Sequence, residues 1–228
     1  MKICTYNIWN DKTNFDIRLE LLVNEINRYE LDFIALQEVK DERTFNYIQS
    51  KTNFKNGYFY EGLGFLSNHE IIIDKTFNEN NSFVQRIIFD NIALTNVHLD
   101  WKNEENRIIG IDKVIDYIEE NQQEYEFILG DFNDTPDDSI HYELRMDDFQ
   151  DLYQTYCHKR NVFPKPTLDF ENNPRWRNQK VDEVSVRFDW VLLHTKNNFE
   201  VKNAYIIGTD ETNGIAPSDH YGVVVDVD

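Results

Sequence analysis

Eight residues have the chemistry to hold a hard cation and act on a phosphoester: Asn7, Glu38, His98, Asp131, Asn133, Asp189, Asp219 and His220. They fall in short clusters, most of them against an apolar run. Gly130-Asp131-Phe132-Asn133 follows Phe127-Ile128-Leu129, and Pro217-Ser218-Asp219-His220 precedes Gly222-Val223-Val224-Val225. Tyr6-Asn7 follows Lys2-Ile3-Cys4-Thr5, and Glu38 follows Phe33-Ile34-Ala35-Leu36-Gln37. Short apolar runs of this kind read as buried strands, so the acids, amides and imidazoles stand where strands meet loops. Transfer of a phosphoryl group calls for a hard cation, which takes carboxylate, amide and water oxygens. A set built from Asp, Glu and Asn, with no cysteine cluster, favours Mg²⁺ or Mn²⁺ over zinc. Alone, Glu38 reads as a surface acid and Asn7 as a turn residue. The four clusters together carry the metal reading.

In type and order these motifs resemble the endonuclease/exonuclease/phosphatase superfamily, which includes deoxyribonuclease I, exonuclease III, neutral sphingomyelinases and tyrosyl-DNA phosphodiesterases. The likeness runs from Asn7 to His220. It implies an α+β fold, a four-layer αββα sandwich in which two mixed sheets pack face to face with helices outside. It also implies that Asn7, Glu38 and Asp219 hold the cation, with Asn7 giving an amide oxygen directly or through water. His98, Asp131, Asn133, Asp189 and His220 become the catalytic set. In that reading His98 and His220 flank the scissile phosphate, Asp189 orients His220, and Asp131 either binds the cation or positions the attacking water. Asn133, two residues on, is expected on the same side of an extended segment as Asp131. Deoxyribonuclease-like members carry a glutamate on the strand before the first histidine. Here that stretch reads Val84-Gln85-Arg86, which leaves the partner of His98 open. His69, His141, His158 and His194 lie outside these motifs and read as ordinary surface or strand residues.

Between Lys159 and Lys180 six basic residues (Lys159, Arg160, Lys165, Arg175, Arg177 and Lys180) face only Asp169 and Glu171. Trp176 between two arginines suits stacking on a ring while guanidinium groups hold phosphate, so Arg175, Trp176 and Arg177 are expected to bind substrate. A solvated basic loop with Trp176 packed inward is the alternative. Arg86 is a further candidate phosphate contact.

The elements that must position these residues follow from periodicity. Lys2 to Trp9 reads as a strand, Phe15 to Tyr29 as an amphipathic helix, Asp32 to Val39 as a strand and Asp41 to Gln49 as a short helix. Gly57 to Ile73 reads as a turn into a strand, and Phe83–Phe89 with Ile92–Leu99 as a hairpin around Asp90-Asn91. Ile108, Ile111, Ile115 and Ile118 define a second helix ahead of Phe127. From Asp147 to Lys180 little periodicity is left, which predicts a long ordered loop. Strands resume at Arg187–His194, Val201–Gly208 and Gly222–Val227.

One domain over residues 1–228 is expected, since 40% hydrophobic residues supply a core. A formal charge of −19 disfavours duplex nucleic acid, because a polyanion is repelled and few counterions are released. A small or single-stranded phosphodiester is the expected substrate, with a repair-type nuclease or tyrosyl-DNA phosphodiesterase-like enzyme as alternative. A non-catalytic binding module on the same scaffold is the reading from another class. Two cysteines, no leader-like N-terminus and no apolar stretch of spanning length suggest a cytoplasmic protein with no membrane span, and nothing calls for an obligate protein partner.

Overall fold

The computed structural model describes residues 1–177, 179 and 183–228. Twelve strands form two six-stranded mixed sheets. The first contains β1 (Lys2–Asn7), β2 (Phe33–Gln37), β3 (Asn56–Tyr60), β4 (Leu63–Ser67), β11 (Val201–Ile207) and β12 (Gly222–Val227), in the order β11-β12-β1-β2-β4-β3. The second contains β5 (Ile72–Glu79), β6 (Ser82–Phe89), β7 (Ile92–His98), β8 (Tyr125–Asp131), β9 (Gln150–Asp151) and β10 (Asp189–His194), in the order β5-β6-β7-β8-β10-β9. Each sheet has one central parallel pair, β1 with β2 and β7 with β8, and is otherwise antiparallel.

Alternation along these strands divides the core into three. Ile3, Phe33, Ala35 and Phe65 of the first sheet meet Leu94, Phe127, Leu129, Val191 and Leu193 of the second between the sheets. The intervening residues face outward. Cys4, Ile34, Leu36 and Val224 pack beneath α1 (Phe15–Ile26) and α2 (Glu42–Lys51). Val97, Ile128, Trp190 and Leu192 pack beneath α3 (Glu104–Glu120) and α4 (Ser139–Met146). The result is a four-layer αββα sandwich. α5 (Leu152–Lys159) adds Leu152, Tyr153 and Cys157 to the inter-sheet core. Both cysteines are free and buried. Among the described residues no helix is long and apolar enough to cross a membrane.

The segment from Asp147 is not one long loop. It holds β9 and α5 before the irregular stretch begins, and Asp151 caps α5 by accepting from the Gln154 N–H at 2.9 Å. Gly57–Ile73 likewise resolves into the β3–β4 hairpin and the start of β5. The parallel pairs matter most for the site. They bring the C-terminal ends of β1, β2, β7 and β8 to one rim of the sandwich, where antiparallel β10 and β12 begin.

Candidate active site

The same alternation that fills the inter-sheet core builds the site. Asn7 continues the inward row Ile3, Thr5; His98 continues Leu94, Asn96; Asp131 continues Phe127, Leu129; Asp189 leads into Val191, Leu193. At the rim this row turns polar. His98 and Asp189 both stand opposite Asp131 in the strand register, on its two sides. A polar layer lies directly beneath. Gln37 Nε2 donates to Asn96 Oδ1 across the sheets at 2.7 Å and to Thr5 Oγ1 at 3.0 Å, while Asn96 Nδ2 donates to the Leu36 carbonyl at 3.0 Å. These buried bonds tie one sheet to the other just below Asn7.

Asp131 is the hub. Its Oδ2 accepts from Asn7 Nδ2 at 2.8 Å and lies 3.8 Å from His98 Nε2 and 4.0 Å from His220 Nε2. Its Oδ1 accepts from the Asn133 backbone N–H at 2.9 Å. Asn7 Nδ2 also donates to Glu38 Oε1 at 3.1 Å, and Glu38 Oε1 is 4.0 Å from His98 Nε2. His98 therefore borrows its acids from β2 and β8 and not from β6. Glu38 has φ 56°, a left-handed conformation uncommon outside glycine, which turns its carboxylate into the rim. The Asn10 N–H holds Glu38 Oε2 there at 2.8 Å.

His220 Nδ1 bonds Asp189 Oδ2 at 2.9 Å, with both groups buried. Arg187, the other neighbour for Asp189, is taken by Asp151 at 2.7 Å. Burial alone would discharge the His220 ring, but Asp189, then Asp131 and Asp219, outweigh it and lift its pKa well above the ordinary imidazole value. Asp219 is pushed up to about 6, first by burial and then by the like charges of Glu38 and Asp131, against the pull of His220 and Arg18.

The rim thus concentrates the carboxylates of Glu38, Asp131 and Asp219 with too little positive charge to balance them. A cation would return Asp219 to the ordinary carboxylate range, so this oxygen-rich set fits a hard divalent ion. Asp131, Asp189 and His220 also lie within 4.8 Å of one another, but Asp189 and His220 already satisfy each other. Glu38 and Asp219 remain the better ligands. Asn7 offers its amide nitrogen to the acids, since its Oδ1 accepts from the Trp9 N–H at 3.0 Å. It bridges the two carboxylates, and Oδ1 keeps a second lone pair beyond the bond from Trp9.

Other expected residues sit differently. Asn133 is left-handed, φ 49°, and not extended; its Nδ2 donates to the Leu99 carbonyl at 2.9 Å, which anchors the loop after β8. Arg86 is not at the rim: it is buried on β6 and ion-paired with Asp74 and with Glu126, the latter at 2.6 Å. Its two terminal nitrogens are held in this buried cluster, away from the site. Arg177 is paired with Glu211 through two bonds, at 2.6 and 3.1 Å. Trp176 Nε1 donates to the Asp219 carbonyl at 3.1 Å, so the indole braces the terminal motif. The Arg175 guanidinium carbon lies 4.9 Å from the Trp9 ring centroid and 4.8 Å from that of Trp176, and its Nε has no partner among the described residues. Lys180 lies outside the described residues.

Several supporting residues escaped the sequence. Arg18 of α1 is buried and donates to the carbonyls of Ile8, Trp9, Asp11, Thr13 and Pro217, clamping the loop after β1 to the terminal motif. Thr167 Oγ1 accepts from the N–H groups of Phe188 and Asp189 at 3.1 and 3.2 Å, fixing the start of β10. Ser218 Oγ donates to the Asn7 carbonyl at 2.7 Å.

The Endonuclease/Exonuclease/phosphatase family matches residues 4–220. Among solved structures, TDP2 of D. rerio complexed with single strand DNA product is similar with a TM-score of 0.79 at 19% identity, over 100% of this chain and 98% of that one. A mannosyl-6-phosphatase of Bacteroides thetaiotaomicron gives 0.75 at 15% identity, over 100% and 99%. A functionally unknown conserved protein from Enterococcus faecalis gives 0.75 at 20%, also over 100% and 99%. At these identities the likeness is one of fold. No curated protein matches the chain.

Proposed function

Because the chain belongs to the Endonuclease/Exonuclease/phosphatase family, we propose that it is a divalent-metal-dependent hydrolase that cleaves a phosphoester by attack of water. One observation carries this reading: Asn7, Glu38, His98, Asp131, Asp189, Asp219 and His220, from both sheets, meet at one rim around Asp131. A non-catalytic scaffold has no use for a buried imidazolium facing three carboxylates, since such charges are costly to desolvate.

Glu38 and Asp219 would hold Mg²⁺ or Mn²⁺, which when bound offsets charge on the phosphoryl oxygens. The protein groups do the rest. His220, kept protonated and aimed by Asp189, donates through Nε2 to a non-bridging oxygen and stabilises the charge that develops there. Asp131 Oδ2 orients the water and takes its proton as the new P–O bond forms and the ester oxygen departs. His98, on the other side of Asp131, is placed to donate to the same phosphoryl group. Arg175, whose guanidinium lies over the rings of Trp9 and Trp176, is the one predicted basic contact that this geometry supports for the substrate.

The test is hydrolysis of bis-(p-nitrophenyl) phosphate with Mg²⁺ or Mn²⁺, quenched by chelation, extended to oligonucleotides, phosphotyrosyl adducts, choline phospholipids and sugar phosphates. Metal-dependent turnover supports the reading; its absence with every metal and ester class contradicts it and favours a binding module.

A further inference from the structure

Two recesses flank the catalytic rim, and they carry opposite charge. The larger, about 790 Å³, opens from Glu38 and His98 and runs between the β3–β4 turn, the start of α2 and the segment after β7. The smaller, about 190 Å³, lies at Trp9, Arg18 and Arg175. Beyond Glu38, the larger recess is walled by the carboxylates of Asp41, Glu42, Glu61 and Asp100 against the ammonium groups of Lys40 and Lys102, and no guanidinium lines it among the described residues. Both ammonium groups lean on rings: Lys40 Nζ is 4.8 Å from the Phe15 centroid and Lys102 Nζ 4.6 Å from that of Trp101.

Two of the acids are committed. Asp41 caps α2 through the Thr44 N–H at 2.8 Å, and Asp100 accepts from the N–H of Lys102 and the side chains of Asn81 and Asn106. Glu42 and Glu61 are exposed; Glu61 Oε2 accepts from Asn78 Nδ2 at 3.4 Å, which leaves its other oxygen and the Glu42 carboxylate open to solvent among the described residues. The apolar part of the wall is aromatic, Phe59, Phe83 and Trp101, and Trp101 is 71% exposed. Lys102 Nζ covers one face of this ring, and the rest of the exposed indole, beside the catalytic centre, is a surface on which a ring can stack.

We infer that this recess receives an uncharged, ring-bearing alcohol portion of the substrate, stacked on Trp101 with its hydroxyls given to Glu42 and Glu61, and that it rejects a ring bearing a second phosphate. The inference rests on the hydrolase reading above and adds the polarity of the substrate to it. The C–H face of a sugar-like ring buries apolar area against the indole, while its hydroxyls find acceptors that remain in water. A second phosphate in the same place meets carboxylates in excess, in a cleft whose walls focus their field. Any anionic part of the substrate is thereby directed to the Arg175 side.

Competition against turnover of bis-(p-nitrophenyl) phosphate in excess Mg²⁺ tests this, with glucose 6-phosphate and glucose 1,6-bisphosphate as the competitors. The monophosphate is expected to compete at least about tenfold more tightly, because the bisphosphate must bring like charge into the recess. The double variant Glu42→Lys/Glu61→Lys, at exposed positions, is expected to narrow or invert that ratio. Trp101→Ala is expected to weaken the monophosphate by roughly tenfold. Equal or tighter competition by the bisphosphate, no competition by either sugar, or a ratio unmoved in the double variant overturns the inference while the hydrolase reading stands. Failure of the wild-type protein to turn over bis-(p-nitrophenyl) phosphate overturns that reading, and the inference with it.

Discussion

Asp189 determines what His220 can do. With Nδ1 held at 2.9 Å and the ring buried beside Asp189, the imidazole pKa is raised well above its ordinary value. Asp189→Asn removes the charge and keeps the shape, so the His220 pKa falls. We expect kcat to drop roughly 10²–10⁴-fold, the range for a mispositioned acid–base group, and the alkaline limb of the pH–rate profile to move to lower pH. A variant with an unmoved alkaline limb would assign the pair a structural role only. Asp219 gives a second prediction. Its folded pKa, about 6, stands above the ordinary 3.8, so the folded carboxyl binds the proton more tightly than the unfolded one. Its contribution to stability is full below the unfolded value and is lost as pH rises through the folded one. Asp219→Asn should therefore stabilise the metal-free protein at pH 7.5 by about 1–3 kcal/mol, an advantage that fades towards pH 4. The same variant should lose most of the rise in melting temperature that Mg²⁺ gives the wild type. That Asp131, Asp189 and His220 stand together was legible in the sequence, because they sit in compact motifs beside strands. Arg18, Gln37 and Asn96 were not, because a side chain that works by satisfying backbone carbonyls or an amide on the other sheet has no local signature. Arg86 misled for a related reason: sequence shows a cation but not the Glu126 that neutralises it.

At the scale of elements, the parallel pair β7–β8 sets His98 opposite Asp131. Gly130 makes that approach possible: its φ is 149°, and a Cβ there would lie 1.9 Å from the Val97 carbonyl oxygen. Gly130→Ala should cost more than about 3 kcal/mol in denaturant unfolding, since clash and strained backbone add. Gly214→Ala, also at positive φ (76°) but with nothing within 4 Å, should cost only about 1 kcal/mol from its backbone, and it serves as the control. Equal costs would remove the steric account of Gly130. The central strands could be read because burial on both faces leaves continuous apolar runs. The β3–β4 hairpin and β5 were blurred because β3 and β5 are edge strands, half-exposed and mixed in polarity. α4 and α5 span only 8 residues each, too few turns to display a helical period.

For the whole molecule, charge is the governing quantity. With 42 acidic against 23 basic residues the chain as a whole repels a polyanion, so affinity for duplex DNA should be weak and should fall only shallowly as salt rises. Gel-shift titration across salt checks this; tight binding with a steep negative slope would contradict it. Salt should instead raise the melting temperature by screening self-repulsion. Hydrolysis at the rim requires side chains from two sheets to act as one unit. A double-mutant cycle measures that directly, comparing kcat on bis-(p-nitrophenyl) phosphate for Asp131→Ala, His220→Ala and the two combined. Groups that act together are strongly non-additive, so the double variant should be scarcely slower than the slower single variant. Losses that multiply, or single variants that keep wild-type rates, would contradict it.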